Sequence, residues 1–167
     1  DPKTVGGSCN RWLILTLVRM HAGRGARVSE VEGDVWTVPA DRIKAIEGRA
    51  RDFRVPLSGP AQAMVEEARR LGFDMLFPER GTRNPVTDAA VEKCLRETKT
   101  GGTPHGFRSS FRTWVQETQA CTYDVAEAVL GHVVGGKVER SYARSDLLDA
   151  RREVMEAWAG FVTSAAR

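Results

Sequence analysis

Thr103-Pro104-His105-Gly106-Phe107-Arg108 is the stretch on which the reading of this 167-residue chain turns. It opens a segment, residues 106–118, that reads as a helix. A His and an Arg three positions apart at a helix start face one spot. The helix N-terminus adds its own partial positive charge there. The combination suits an anion with several oxygens, such as a phosphate. Downstream come Leu130-Gly131-His132 and, ten residues later, Tyr142 within Val138-Glu139-Arg140-Ser141-Tyr142-Ala143-Arg144.

The surrounding pattern is mostly helical. Residues 1–9, with Gly6-Gly7-Ser8, read as a loose lead-in. Asn10 is placed to cap a helix running from Trp12 through Val18 to Arg19. That run is apolar on nearly every side, so burial is expected. A short helical turn is expected near residues 24–28. Val35-Trp36-Thr37-Val38, ended by Pro39, and residues 53–57 read as strands of a small antiparallel sheet. A polar, basic segment, residues 40–52, joins them. Ser58 is placed to cap a helix over about 60–71, with Pro60 just inside its start and Gly72 closing it. Met75-Leu76-Phe77 is a candidate short strand. Thr87 reads as the cap of a helix reaching about Thr98, with Asp88 favouring its first turn. Helices over 123–130 and 146–162 and a short piece near 137–142 complete the pattern. In 146–162, Leu147, Leu148, Val154, Met155, Trp158 and Phe161 fall largely on one face. The expected fold class is mainly α with a small antiparallel β-sheet (α+β), in one domain covering residues 1–167.

Hydrophobic residues make up 41% and charged residues 28%, which describes a soluble globular chain rather than a disordered one. The net charge of +3 permits a polyanionic partner without demanding one. The distribution says more: Arg11, Arg19, Arg24, Arg27, Arg42, Lys44, Arg49, Arg51 and Arg54 crowd the first third. Cys9, Cys94 and Cys121 are far apart and form no CxxC pair, so neither a zinc site nor a disulfide framework is suggested. A reducing cytoplasm is the expected compartment. The longest apolar run, Trp12 to Val18, is too short to span a bilayer.

Taken singly, each candidate residue has a blander explanation. Arg19 would mark a helix end near its negative pole. Lys44 is one basic residue among Arg42, Arg49 and Arg51. His105 and Arg108 would be a cap and a surface charge. His132 would be a dipole partner or a satisfied core histidine, and Tyr142 a packing residue. Tyr123, the other tyrosine, is expected to start a helix and pack. His21 is given no role.

Jointly, they carry a family resemblance. HxxR, then LGH, then a Tyr about ten residues on, resembles the signature of the tyrosine recombinases. The tail from Tyr142 to Trp158 is similar to prophage integrases in particular. Leu13-Ile14-Leu15-Thr16-Leu17-Val18-Arg19 resembles the helix ending in that family's first catalytic Arg. Residues 35–44 resemble its strand and hairpin bearing the catalytic Lys. The match covers roughly residues 10–162.

The resemblance implies the catalytic domain of a DNA breaking and rejoining enzyme that performs site-specific recombination through a 3′-phosphotyrosine. Tyr142 is then the nucleophile. Arg19 and Arg108 donate paired hydrogen bonds to the non-bridging oxygens. His105 and His132 add donors, and His105 helps to accept the tyrosine proton. Lys44 protonates the leaving 5′ oxygen. No metal and no cofactor are implied. The implied partner is double-stranded DNA, bound by a homotetramer that is monomeric off DNA, with accessory DNA-bending proteins. The implied location is the cytoplasm of a bacterium, at the nucleoid. Helical core-binding and arm-binding domains are expected on the N-terminal side, outside these 167 residues. The helix over 146–162 is expected to pack either within the chain or on a neighbouring protomer.

One departure stands out. The family often places an acidic residue three after the first Arg, and Ala22 stands there. Glu30 and Asp34 are the candidate replacements. Two competing readings follow: a DNA-binding relic that keeps the fold without activity, and a type IB topoisomerase.

Overall fold

Thr4 opens the first helix. The computed structural model describes residues 4–43, 51–99, 101–132 and 146–164. Helix α1 (Val5–Thr16) begins where the Thr4 side chain accepts a hydrogen bond from the Gly7 N–H at 3.0 Å. Residues 5–9 are therefore helical rather than a lead-in, and Asn10 lies inside the helix instead of capping it. The reason is tertiary. A Cβ at Gly6 would stand 2.7 Å from the Ala90 carbonyl oxygen, so glycine here lets α1 lie against α4 (Asp88–Glu97). Buried Asn10 donates its amide to the Val91 carbonyl at 2.8 Å across the same contact. That packing outweighs the helix-weakening effect of two glycines.

α1 stops at Thr16, earlier than its apolar run predicts, because Leu17 adopts a left-handed conformation at φ 57°. Helix α2 (Met20–Arg24) follows, and then a single 3-10 turn, Val28–Glu30, in place of the expected turn at 24–28. Strands β1 (Val31–Glu32), β2 (Val35–Val38) and β3 (Phe53–Pro56) form an antiparallel sheet in the order β1-β2-β3, with Trp36 opposite Val55. Trp36 and Val38 face the core and their neighbours do not, as a half-buried strand requires. Two-residue β1 was not legible in the sequence. Met75 makes an isolated bridge to Arg27 rather than joining a strand.

Helix α3 (Gly59–Arg70) carries Pro60 in its first turn, and Gly72 follows it at φ 74°. The Thr87 hydroxyl caps α4, as expected. A second 3-10 turn, Ala40–Arg42, and helices α5 (Gly106–Thr118), α6 (Tyr123–Val129) and α7 (Leu148–Ser164) complete the described elements. Tyr123 does start α6, but its side chain is 64% exposed and does not pack into the core.

Two apolar clusters result. The first gathers α1, the sheet, α3 and α4 around Trp12, Trp36 and Phe77. The second gathers α5, α6 and α7 around Phe111, Trp114 and Trp158. Leu17 belongs to the second cluster although it ends α1. The Trp158 indole donates to the Ile14 carbonyl at 2.8 Å, joining the two. Helix α7 thus packs within its own chain, through Val154, Met155, Trp158 and Ala159. Among the described residues, no helix is long and apolar enough to cross a membrane.

Candidate functional site

The seam between the two clusters holds a buried arginine. Arg108, in the first turn of α5, is 5% exposed. Its Nη1 donates to the carbonyl of Leu17 and its Nη2 to that of Leu130 at 2.7 Å. Leu17 and Leu130 are the residues at which α1 and α6 end. The guanidinium therefore bridges the negative poles of two helices, where a cation is favoured. Burial pulls its pKa down to about 10, with Arg19 adding to the depression and Glu127 opposing it. It stays charged at neutral pH.

His132 meets the same guanidinium, with its Nε2 3.0 Å from Arg108 Nη2. The backbone at the end of α6 explains how it gets there. Gly131 takes φ 61°, the His132 N–H bonds back to the Glu127 carbonyl at 2.9 Å, and the Gly131 N–H bonds to that of Ala128 at 3.1 Å. This is a Schellman ending, in which glycine supplies the left-handed residue. Leu-Gly-His is thus a helix terminator that turns the histidine back over the last turn. There its Nδ1 lies 2.9 Å from a Glu127 carboxylate oxygen. The other Glu127 oxygen pairs with Arg112 at 2.6 Å, and Arg112 stands one turn beyond Arg108 on α5.

Arg19 lies just after the Leu17 turn and precedes α2; its charge bears on Arg108. Its side chain is exposed, with no hydrogen bond or ion pair to any described residue. His105 precedes the first turn of α5 and is exposed; its carbonyl accepts from the Arg108 N–H at 3.1 Å, while its ring makes no hydrogen bond to Arg19, Arg108 or His132. The structure thus brings Arg108 and His132 into contact and Arg19 into electrostatic range, with His105 one turn away. Lys44 and Tyr142 lie outside the described residues, as does the expected helical piece at 137–142.

Neither candidate replacement for the missing acid reaches Arg19. Asp34 binds Arg152 at 2.5 Å. Glu30 accepts from the Trp36 indole at 2.9 Å and pairs with Arg42, which also donates to the carbonyls of Ala22 and Gly25. The turn after Arg19 is therefore tied down through its backbone by Arg42 and Glu30, not by a side chain at position 22. Reading along the chain missed Glu127, Arg112 and Arg42. For Glu127 a signal existed: a helix ending in Leu-Gly-His sets the residue five before the histidine beside it.

Among the described residues, no group of three His, Cys, Asp or Glu side chains is arranged to hold a metal ion. No protein-family model and no solved structure matches the chain. Curated relatives do. It is 37% identical over 161 residues to the prophage integrase IntA of Escherichia coli K12, covering 92% of this chain and 38% of the relative. It is 31% identical to the prophage integrase IntZ of the same strain, covering 92% of this chain and 39% of the relative. It is 32% identical over 87 residues to the integrase of Shigella phage Sf6, covering 51% of this chain and 22% of the relative. The chain spans less than two-fifths of the length of these relatives. Along nearly all its residues this chain is homologous to part of the prophage integrases, a relation to the integrase family.

Proposed function

We propose that this chain is the catalytic domain of a tyrosine-type site-specific recombinase, with the fold of that family, acting on double-stranded DNA of a prophage or similar mobile element. The observation that carries the reading is the meeting of Arg108, His132 and the Arg19 charge at one seam. Guanidinium donors held in place suit the charge that builds on a phosphodiester in its transition state.

In the proposed reaction the Tyr142 hydroxyl oxygen attacks phosphorus and the bond to the 5′ oxygen breaks. Lys44 gives that oxygen its proton, and His105 takes the proton from Tyr142. The product is a 3′-phosphotyrosine. A second 5′ hydroxyl reverses the step without ATP, since the bond energy is kept. Four protomers on paired DNA sites would complete strand exchange.

The test is a nicked suicide substrate, whose cleaved 5′ fragment diffuses away and traps the adduct. A covalent protein–DNA band is expected, and Tyr142→Phe should abolish it. DNA binding by the wild type with no adduct would support the second reading, a DNA-binding relic. Ala22 favours that reading, because Glu30 and Asp34 are engaged elsewhere and leave Arg19 without an acidic partner among the described residues.

A further inference from the structure

We infer that Glu127 is the positioning residue of this site, holding His132 as its Nδ1–H tautomer so that Nε2 accepts from Arg108 and locks the guanidinium in place. The inference rests on the proposed function and deepens it.

The argument is one of donors and acceptors. An ionised carboxylate only accepts hydrogen bonds, and a guanidinium only donates them. His132 Nδ1 faces a Glu127 oxygen at 2.9 Å, so Nδ1 carries the hydrogen. His132 Nε2 faces Arg108 Nη2 at 3.0 Å, so Nε2 offers its lone pair. A single tautomer satisfies both contacts. The ring then serves Arg108 instead of competing with it for phosphate. Its bond joins those to the Leu17 and Leu130 carbonyls, so three of the five guanidinium hydrogens are taken up by described residues. Two remain for an incoming anion.

Glu127 suits this task. It is 6% exposed and sits on α6, where the Schellman ending delivers the histidine. Arg112 pairs with its second oxygen, which holds the carboxylate in place. The chain Arg112–Glu127–His132–Arg108 starts and ends on α5, so α5 and the end of α6 brace each other across the site. Outer partners that orient a functional histidine in this way typically matter 10–100-fold, as at metal sites.

The test begins with the unmodified 167-residue chain, ¹⁵N-labelled on histidine, read by long-range ¹H–¹⁵N correlation at a pH where the His132 ring is neutral. A protonated Nδ1 and an unprotonated Nε2 at His132 are expected; the reverse pattern overturns the inference, whatever the protein's activity. Glu127→Ala should let the two tautomers mix, whereas Glu127→Gln, whose amide oxygen can still accept, should hold the Nδ1–H form. An unchanged E127A spectrum overturns the inference as well. On the nicked substrate at saturating DNA, E127A should slow adduct formation roughly 10–100-fold with DNA affinity little changed, and E127Q should recover most of the rate. An E127A rate equal to wild type overturns the positioning role. A wild type that forms no adduct refutes the recombinase reading and leaves the tautomer result standing.

Discussion

At the scale of the residue, Arg108 concentrates the site's physics. It could serve structure alone, since two helix-end carbonyls and a histidine already bind it. Arg108→Lys separates the roles. Lysine keeps the charge but lacks the planar fork that reaches several acceptors at once. One or both carbonyls would lose a partner, at about 1–3 kcal/mol each. A catalytic role adds a second loss, on the order of 100-fold or more in adduct formation. Chemical denaturation and the nicked-substrate assay, run on the same variant, measure the two separately. A fall in stability with an undiminished rate would leave Arg108 as a brace and nothing more.

At the scale of the element, the end of α6 matters most. Gly131 sits at φ 61°, and a Cβ there would approach the Phe53 ring at 3.4 Å. Gly131→Ala should cost about 1–2 kcal/mol from the left-handed backbone alone. It should also slow adduct formation, because the same turn carries His132 to Arg108. Thermal melting checks the first expectation and single-turnover cleavage the second. α1 shows how an element can escape local reading. Its first turn contains Gly6 and Gly7, poor helix formers that gave it the look of a loop. The contact with Ala90 on α4 pays for those glycines, and that contact joins residues far apart in the chain.

At the scale of the whole molecule, the two apolar clusters must stay in register for the seam to exist. Trp158 spans them, set edge-on to Phe111 and tilted against Trp114 and Phe161, and bonded to the Ile14 carbonyl. Trp158→Ala should cost about 3–5 kcal/mol and lower cleavage along with stability, measurable by denaturant titration. A second tie runs from the β1–β2 turn to α7. Arg152 hydrogen-bonds Asp34 and holds its carboxyl below the usual carboxylate range. A depressed acid stabilises the fold above its unfolded value, about 3.9, and that contribution fades as pH falls through the folded value. Melting temperatures of wild type and Asp34→Asn should therefore differ most near neutrality and converge in acid. The pair is a third exposed, so the gap should be small.

The sequence by itself determined the fold class, the strands β2 and β3, and the placement of α3 to α6. These follow from local rules: apolar periodicity, proline and glycine at helix ends, and a capping threonine at 87. It also singled out Arg108 and His132, which the structure brings into contact, through the short motifs HxxR and Leu-Gly-His. Only the tertiary structure decided the rest. It made residues 5–9 helical through a contact with α4, and it gave Glu30 to Arg42 and Asp34 to Arg152 instead of to Arg19. It also gave Glu127 its second partner, Arg112 on α5. A carboxylate's partner on another element is fixed by which surfaces meet when the chain closes, and no spacing along the chain encodes that meeting.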